Sequence, residues 1–235
     1  MINSYEKHMA KTNLKNIVLW IIVVHIFSLI FFSMIGKFEK IDSDFILKSG
    51  EGIAVLSSTV TLSVLTIYGI YVINRKLITR YIGNFREKSY IYPSGRENIF
   101  KEKLLALIYR YASIFLFLIC LLNIGYIFLF EGTKVFSSPV HFFTDILCVC
   151  NISILTVLVS VIILLCSIIV GIKYQSINIS LVTTVLLIVC IGNVVAHSYV
   201  LHIGIIVIVN IIIFGVAYML FKILIDMIKN DDVMK

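Results

Sequence analysis

Residues 174–221 read YQSINISLVTTVLLIVCIGNVVAHSYVLHIGIIVIVNIIIFGVAYMLF, 48 positions without one Asp, Glu, Lys or Arg. One α-helix of that length would run about 72 Å, whereas a hydrocarbon core of about 30 Å takes about 20 helical residues. The stretch is therefore expected to cross a bilayer, turn and cross again. Its most polar cluster is His197, Ser198, Tyr199, His202 and Gly204, and the turn is expected there.

Four more charge-free windows precede it, at 16–36, 52–74, 111–130 and 146–172, of 21, 23, 20 and 27 residues. Each is long enough for one crossing. The chain thus reads as an all-α polytopic membrane protein. A single transmembrane domain over 1–235 is expected, with six transmembrane helices at about 16–35, 52–73, 106–130, 146–171, 180–198 and 204–225. Continuous apolar runs, rather than apolar and polar residues in alternation, favour helices over a barrel. Only 14% of the 235 residues are charged, against about 25% in an average soluble domain. Twelve glycines and two prolines exclude a Pro/Gly-rich disordered chain. The first span exceeds a signal-peptide core, and Gly36-Lys37-Phe38 lacks a small-x-small cleavage pattern, so it is expected to persist as a helix.

The basic residues orient the spans. Segments 1–15, 74–105, 172–179 and 226–235 hold 14 of the 20 Lys and Arg, while 36–51, 131–145 and 199–203 hold 4. Arg110 and Lys222 sit just inside the ends of spans 3 and 6. The positive-inside rule then places both termini in the cytoplasm. The net charge of +7 is this loop asymmetry, which weighs against a nucleic-acid surface.

Few residues inside the spans suggest chemistry. Cys120, Cys148, Cys150, Cys166 and Cys190 all fall within spans, and the C-x-x-C and H-x-x-x-H metal spacings are absent. The cysteines read as small packing residues, and neither a metal site nor a catalytic residue is expected. His25, His197 and His202 lie in or near spans and read as structural rather than as a proton relay. No span carries a carboxylate in its middle, which counts against a proton-coupled carrier. Thr59, Ser63 and Thr66 share one face of span 2, and Asn123, Asn151 and Asn193 lie within other spans. These six are the candidate substrate-path residues, although helix packing is the commoner role for such groups.

The cytoplasmic segment 74–105 is richer. Leu77, Ile78, Tyr81, Ile82 and Phe85 recur on one helical face, with Lys76, Arg80, Asn84, Glu87 and Lys88 opposite. An amphipathic elbow helix in the headgroup plane is expected between spans 2 and 3. Tyr92-Pro93-Ser94-Gly95 breaks it. Ser94 and Glu97 have capping-box spacing, so a new helix is expected near Gly95 and should run on into span 3. A basic loop that only fixes topology has the same composition.

Arg80-Tyr81, then Tyr92-Pro93-Ser94-Gly95-Arg96, Ile99 and Lys103-Leu104-Leu105 resemble the loop after span 2 in permease subunits of ABC-2-type transporters, especially small bacterial six-span ones. Tyr81, Tyr92, Pro93, Arg96, Lys103 and Leu104 match at the family's spacing. Two places depart: Arg80 stands where an acidic residue is usual, and Ser94-Gly95 replaces the usual pair before the arginine. The resemblance implies a multi-pass subunit of a bacterial plasma membrane that forms a homodimer or pairs with a second permease. It implies two ATP-binding partners, docked on a coupling surface of Arg80, Tyr81, Phe85, Arg86, Glu87, Tyr92, Pro93, Arg96 and Lys103. ATP and Mg²⁺ would belong to the partner, since this chain has no G-x-x-x-x-G-K-[ST] loop and is expected to bind no cofactor and to be no enzyme itself. Similar subunits export amphipathic or antimicrobial-type peptides, including lantibiotic self-protection and phenol-soluble modulin systems. A lipid or small-molecule exporter subunit and a stand-alone peptide-immunity or sensor protein are the alternatives.

Overall fold

The computed structural model describes residues 4–38, 45–80, 96–133 and 142–229, and every regular element among them is helical. The helices are α1 (Ser4–Phe38), α2 (Gly50–Lys76), α3 (Arg96–Thr133), α4 (Phe142–Lys173), α5 (Ile177–Ile191), α6 (Asn193–His197) and α7 (Ile203–Lys229). Short 3-10 turns occupy Phe45–Lys48, Ile78–Arg80 and Ser198–Val200. Six stretches are long and apolar enough to cross a membrane: Asn16–Lys37, Gly50–Lys76, Phe100–Leu129, Phe143–Lys173, Ile177–Val200 and Ile203–Lys229. They coincide with the six expected spans and run past them by a few residues at most ends. Charged residues near helix termini can reach the headgroups, so a helix need not stop where its apolar run does.

Each boundary has a local cause. Ser49 opens α2 by accepting the Gly52 N–H at 3.0 Å, and Ser176 opens α5 by accepting from Ile179 at 3.4 Å. Between α4 and α5 the chain reverses over Tyr174–Ser176. Gln175 adopts φ 48° there, and the Ser176 N–H returns to the Gly171 carbonyl at 3.0 Å. The long charge-free stretch folds back after His197 through Ser198–Val200 and starts again at Ile203. Its first half is divided at Gly192, which separates α5 from α6 and which periodicity did not reveal.

Helices α2 and α4 form the interior, and the others surround them. α1 lies on α2 and α3; α7 lies on α4 and α3; α5 closes against α4 and α2. The main apolar core runs through Leu65, Ile73, Phe115, Ile119, Leu164 and Ile168. A second joins Val55, Leu62, Ile152, Leu155, Val195 and Ile206. Close approach of α4 to α5 depends on Gly171, where a Cβ would fall 2.7 Å from the Ser180 Cβ.

Within the 74–105 segment, residues 81–95 lie outside the described residues. Tyr81, Phe85, Arg86, Glu87, Tyr92 and Pro93 fall there, as does the expected cap at Ser94. The described part departs from a helix lying in the headgroup plane. α2 continues to Lys76, the next three residues form a 3-10 turn, and Leu77 and Ile78 are wholly buried. They pack with Phe100 and Leu104 of α3 and Leu224 and Ile228 of α7, because covering these side chains with protein removes more apolar surface than laying them on headgroups. On the other side of the loop, α3 runs unbroken from Arg96 through the membrane span to Thr133.

Gly171→Ala is expected to lower stability by about 1–3 kcal/mol, the usual effect of overpacking. Gly125→Ala, with nothing within 4 Å of the added Cβ, is the neutral control. Thermal unfolding in mild detergent measures both, and equal midpoints would contradict the close α4–α5 contact.

Candidate functional site

The most concentrated polar chemistry inside the bundle is built around His25 of α1, which is 0% exposed. Its Nδ1 lies 2.9 Å from Thr61 Oγ1 of α2, and its Nε2 lies 2.9 Å from Asn123 Oδ1 of α3. Asn123 Nδ2 donates to Ser58 of α2 at 3.1 Å and to Ser153 of α4 at 3.2 Å. Four helices thus meet in one hydrogen-bonded knot. His25, Thr61 and Ser153 lie about ten to twelve residues, or about 15–18 Å, from the Glu51 end of their helices, close to the middle of a hydrocarbon core of about 30 Å.

The proton inventory fixes its orientation. Ser58 and Ser153 give their own hydroxyl protons to the Ala54 and Val149 carbonyls at 2.7 and 2.8 Å, so they can only accept from Asn123. That turns Asn123 Oδ1 toward His25, whose Nε2 must donate. A ring with its single proton on Nε2 then satisfies the set when Thr61 donates to Nδ1. Thr61 has a second acceptor in reach, the Ser57 carbonyl at 2.7 Å. The knot contains no carboxylate, thiolate or free hydroxyl nucleophile. Its chemistry is attachment rather than catalysis: it fastens α3 to α1, α2 and α4.

A second polar array lies nearer the Lys76 end. Thr184 of α5 donates to Ser167 of α4 at 2.9 Å, and Ser180 donates to Asn74 Oδ1 of α2 at 3.2 Å. The Tyr111 hydroxyl of α3 is buried beside Thr66 and Ser160 without a hydrogen bond of ordinary geometry. At the opposite end Glu51 and Asp145 lie together beside Cys148. Cys120 and Cys150 approach to 3.6 Å between their sulfurs, and all five cysteines are free thiols. Among the described residues no group of three His, Cys, Asp or Glu could hold a metal.

The structure separates the six candidate path residues. Asn123 is the centre of the knot. Thr66 is buried and lies beside Tyr111. Thr59 and Ser63 are half-buried and bond only to carbonyls of their own helix, at 2.7 and 3.0 Å. Asn151 donates to the Leu147 carbonyl at 2.9 Å, and its own carbonyl accepts from Asn210 at 3.2 Å. Asn193 is exposed beside the Gly192 break. No continuous polar lining joins these six. On α2 the face that enters the knot is that of Ser57, Ser58 and Thr61, about half a turn from the Thr59–Ser63–Thr66 row. A histidine in the middle of a charge-free window was the one sequence signal that pointed to the knot.

Of the coupling residues, Arg80 closes the 3-10 turn after α2, Arg96 opens α3, and Lys103 is half-buried on α3. All three belong to the end of the bundle that also carries Lys76, Arg110, Lys173, Lys222 and Lys229.

Comparison with protein-family models, with curated proteins and with solved structures gives no match to this chain.

Asn123→Leu removes three interhelical hydrogen bonds. At about 0.6 kcal/mol for an average bond of this kind in a membrane, it is expected to lower bundle stability by about 2 kcal/mol. Asn193→Leu, at an exposed site, should leave stability unchanged. Denaturant titration in mixed micelles compares them, and equal effects would contradict the knot as a fastening.

Proposed function

We propose that the chain is the membrane-spanning permease subunit of an ATP-driven exporter of the ABC-2 type. Both termini face the cytoplasm of a bacterial cell, two permeases assemble, and two separate ATP-binding subunits dock on the Lys76 end. The observation that best supports this reading is the unbroken course of α3. It begins at Arg96, the last residue of the Tyr92–Arg96 motif, and reaches the membrane-centred knot at Asn123 without a break, about 40 Å along one axis. A helix of this kind transmits displacement. Closure of the ATP-binding pair on ATP and Mg²⁺ would move the loop and the start of α3, and the knot would act as the far pivot.

The ATP-driven step biases an equilibrium between two arrangements of α3 against α2 and α4. The knot suits a pivot because its bonds are short, neutral and made by side chains that can exchange partners, as Thr61 can between His25 and Ser57. The cargo proposed is an amphipathic or antimicrobial-type peptide taken from the bilayer. Support for this comes from the outer faces of α3, α5 and α7, which present large apolar side chains such as Phe117, Leu186 and Phe214.

The test combines a gentle-detergent pull-down from native membranes with an export assay. A stoichiometric ATP-hydrolysing protein should accompany the tagged chain. Arg96→Glu and Lys103→Glu should leave expression intact and reduce export by about 5- to 150-fold, the range of a coupling free energy of about 1–3 kcal/mol. Unchanged export would remove the coupling role of the α3 start. Peptide protection by the chain alone, with no ATPase present, would replace the exporter with a stand-alone immunity protein.

A further inference from the structure

Residue levels along the helices locate a part of the protein that stands outside the bilayer. From Tyr111 to Phe130, α3 has 20 residues without charge, which span about 30 Å and fill a hydrocarbon core alone. Arg110 therefore marks the membrane boundary. Lys76 of α2 lies within its electrostatic reach, and Lys173 and Lys222 end the charge-free runs of α4 and α7 at the same side. Residues 96–109 of α3 then project about 21 Å beyond the core.

This projection is not a bare rod. Phe100 and Leu104 are 0% exposed and pack with Leu77 and Ile78 after α2, and with Leu224, Ile225 and Ile228 of the last turns of α7. The stub has its own small apolar core and is joined rigidly to the spans. Its other face is uncovered. Lys101, Leu105 and Tyr109 recur every four residues, so they share one side of α3 opposite Phe100 and Leu104. Leu105 is 45% exposed and Tyr109 is 75% exposed, with the exposed Glu102 and Arg110 beside them. A large aromatic and a leucine held in water on a rigid helix favour a partner surface.

The sign of the surrounding charge selects that partner. Among the described side chains this end carries Arg75, Lys76, Lys101, Lys103, Arg110, Lys173, Lys222 and Lys229 against Glu102 and Asp226. We propose that the Lys101–Leu105–Tyr109 face of α3 is a docking surface for the ATP-binding subunit, separate from the 81–95 loop. It would receive an apolar slot edged with carboxylates. The inference rests on the permease reading and gives it a second point of attachment. With both attachments, a partner grips the lever helix directly as well as pulling the loop that leads to it. Fixed positive charge steers an acidic surface into register, and the two apolar side chains anchor it.

The experiment is site-specific photocross-linking in native membranes. Tyr109→p-benzoylphenylalanine is expected to yield an adduct with the same ATP-hydrolysing protein that co-purifies with the unmodified chain, identified by peptide mass. Phe117→p-benzoylphenylalanine lies two helical turns further along the same stripe, inside the hydrocarbon by residue count, and should mark lipid alone. Adding Lys101→Glu to the Tyr109 probe should reduce the protein adduct at least several-fold. If the ATPase co-purifies while the Tyr109 probe marks only lipid, or a second copy of this chain, the docking surface is overturned and the permease reading stands. If no ATPase accompanies the unmodified chain, both fall together.

Discussion

Hydrocarbon offers no hydrogen bonds, and this constraint accounts for most of what the bundle does with its polar residues. Every buried hydroxyl must find its acceptor inside the protein. Ser57, Ser58, Thr61 and Thr66 of α2 each donate to the carbonyl four residues earlier, at 2.6 to 2.8 Å. Ser153, Thr156 and Ser167 of α4 do the same at 2.7 to 2.8 Å. With their protons returned to their own helices, these side chains keep free acceptor lone pairs and little bulk. Helices α2 and α4 can therefore lie close together at the centre while their polar faces turn toward each other.

The knot follows from that arrangement. A face of acceptors needs donors, and Asn123 supplies two from its amide. Its carbonyl then needs one in return, and His25 supplies it. Removing any member strands another in a medium where no water can replace it. Each bond between spans contributes only about 0.6 kcal/mol on average, so the knot's importance lies less in total energy than in register. It sets the rotation and height of α3 against three neighbours at once. Packing of leucine and isoleucine on a lipid-facing helix specifies such a position only weakly, because lipid tails solvate the same side chains equally well.

A fixed point near the membrane centre and a rigid stub outside it give α3 the geometry of a lever. Between them lie about 20 residues of helix with no glycine or proline before Gly125, so little bending is available to absorb a push at the cytoplasmic end. Around it the peripheral faces of α1, α5 and α7 remain apolar and open to lipid. Energy from a soluble partner and a cargo held in the bilayer would thus meet on one helix. This makes an exporter a more economical reading than a carrier driven by ions, for which the spans supply no central carboxylate.

Much of the architecture was already legible in the chain. Charge-free windows of 20 to 27 residues gave the first four spans, and one window of 48 residues, too long for a single crossing, gave the last two with their turn at His197–Gly204. These features follow from transfer free energies that each residue carries with it, so no neighbour is needed to read them. The start of the third membrane helix near Gly95 was also local, set by proline and turn residues. The polar contacts were not local. Thr59, Ser63 and Thr66 formed the more regular row in sequence, yet Ser58 and Thr61 entered the knot, because the rotation of α2 is chosen by the surfaces of α1, α3 and α4. His25 and Asn123, 98 residues apart, became partners only when four helices met. Leu77 and Ile78 read as one edge of a surface helix, and the tertiary structure buried them beneath α3 and α7. Hydrophobicity alone decided how many times the chain crosses. Which faces turn inward depended on partners distant in sequence, since a hydrogen bond in hydrocarbon requires both of its ends.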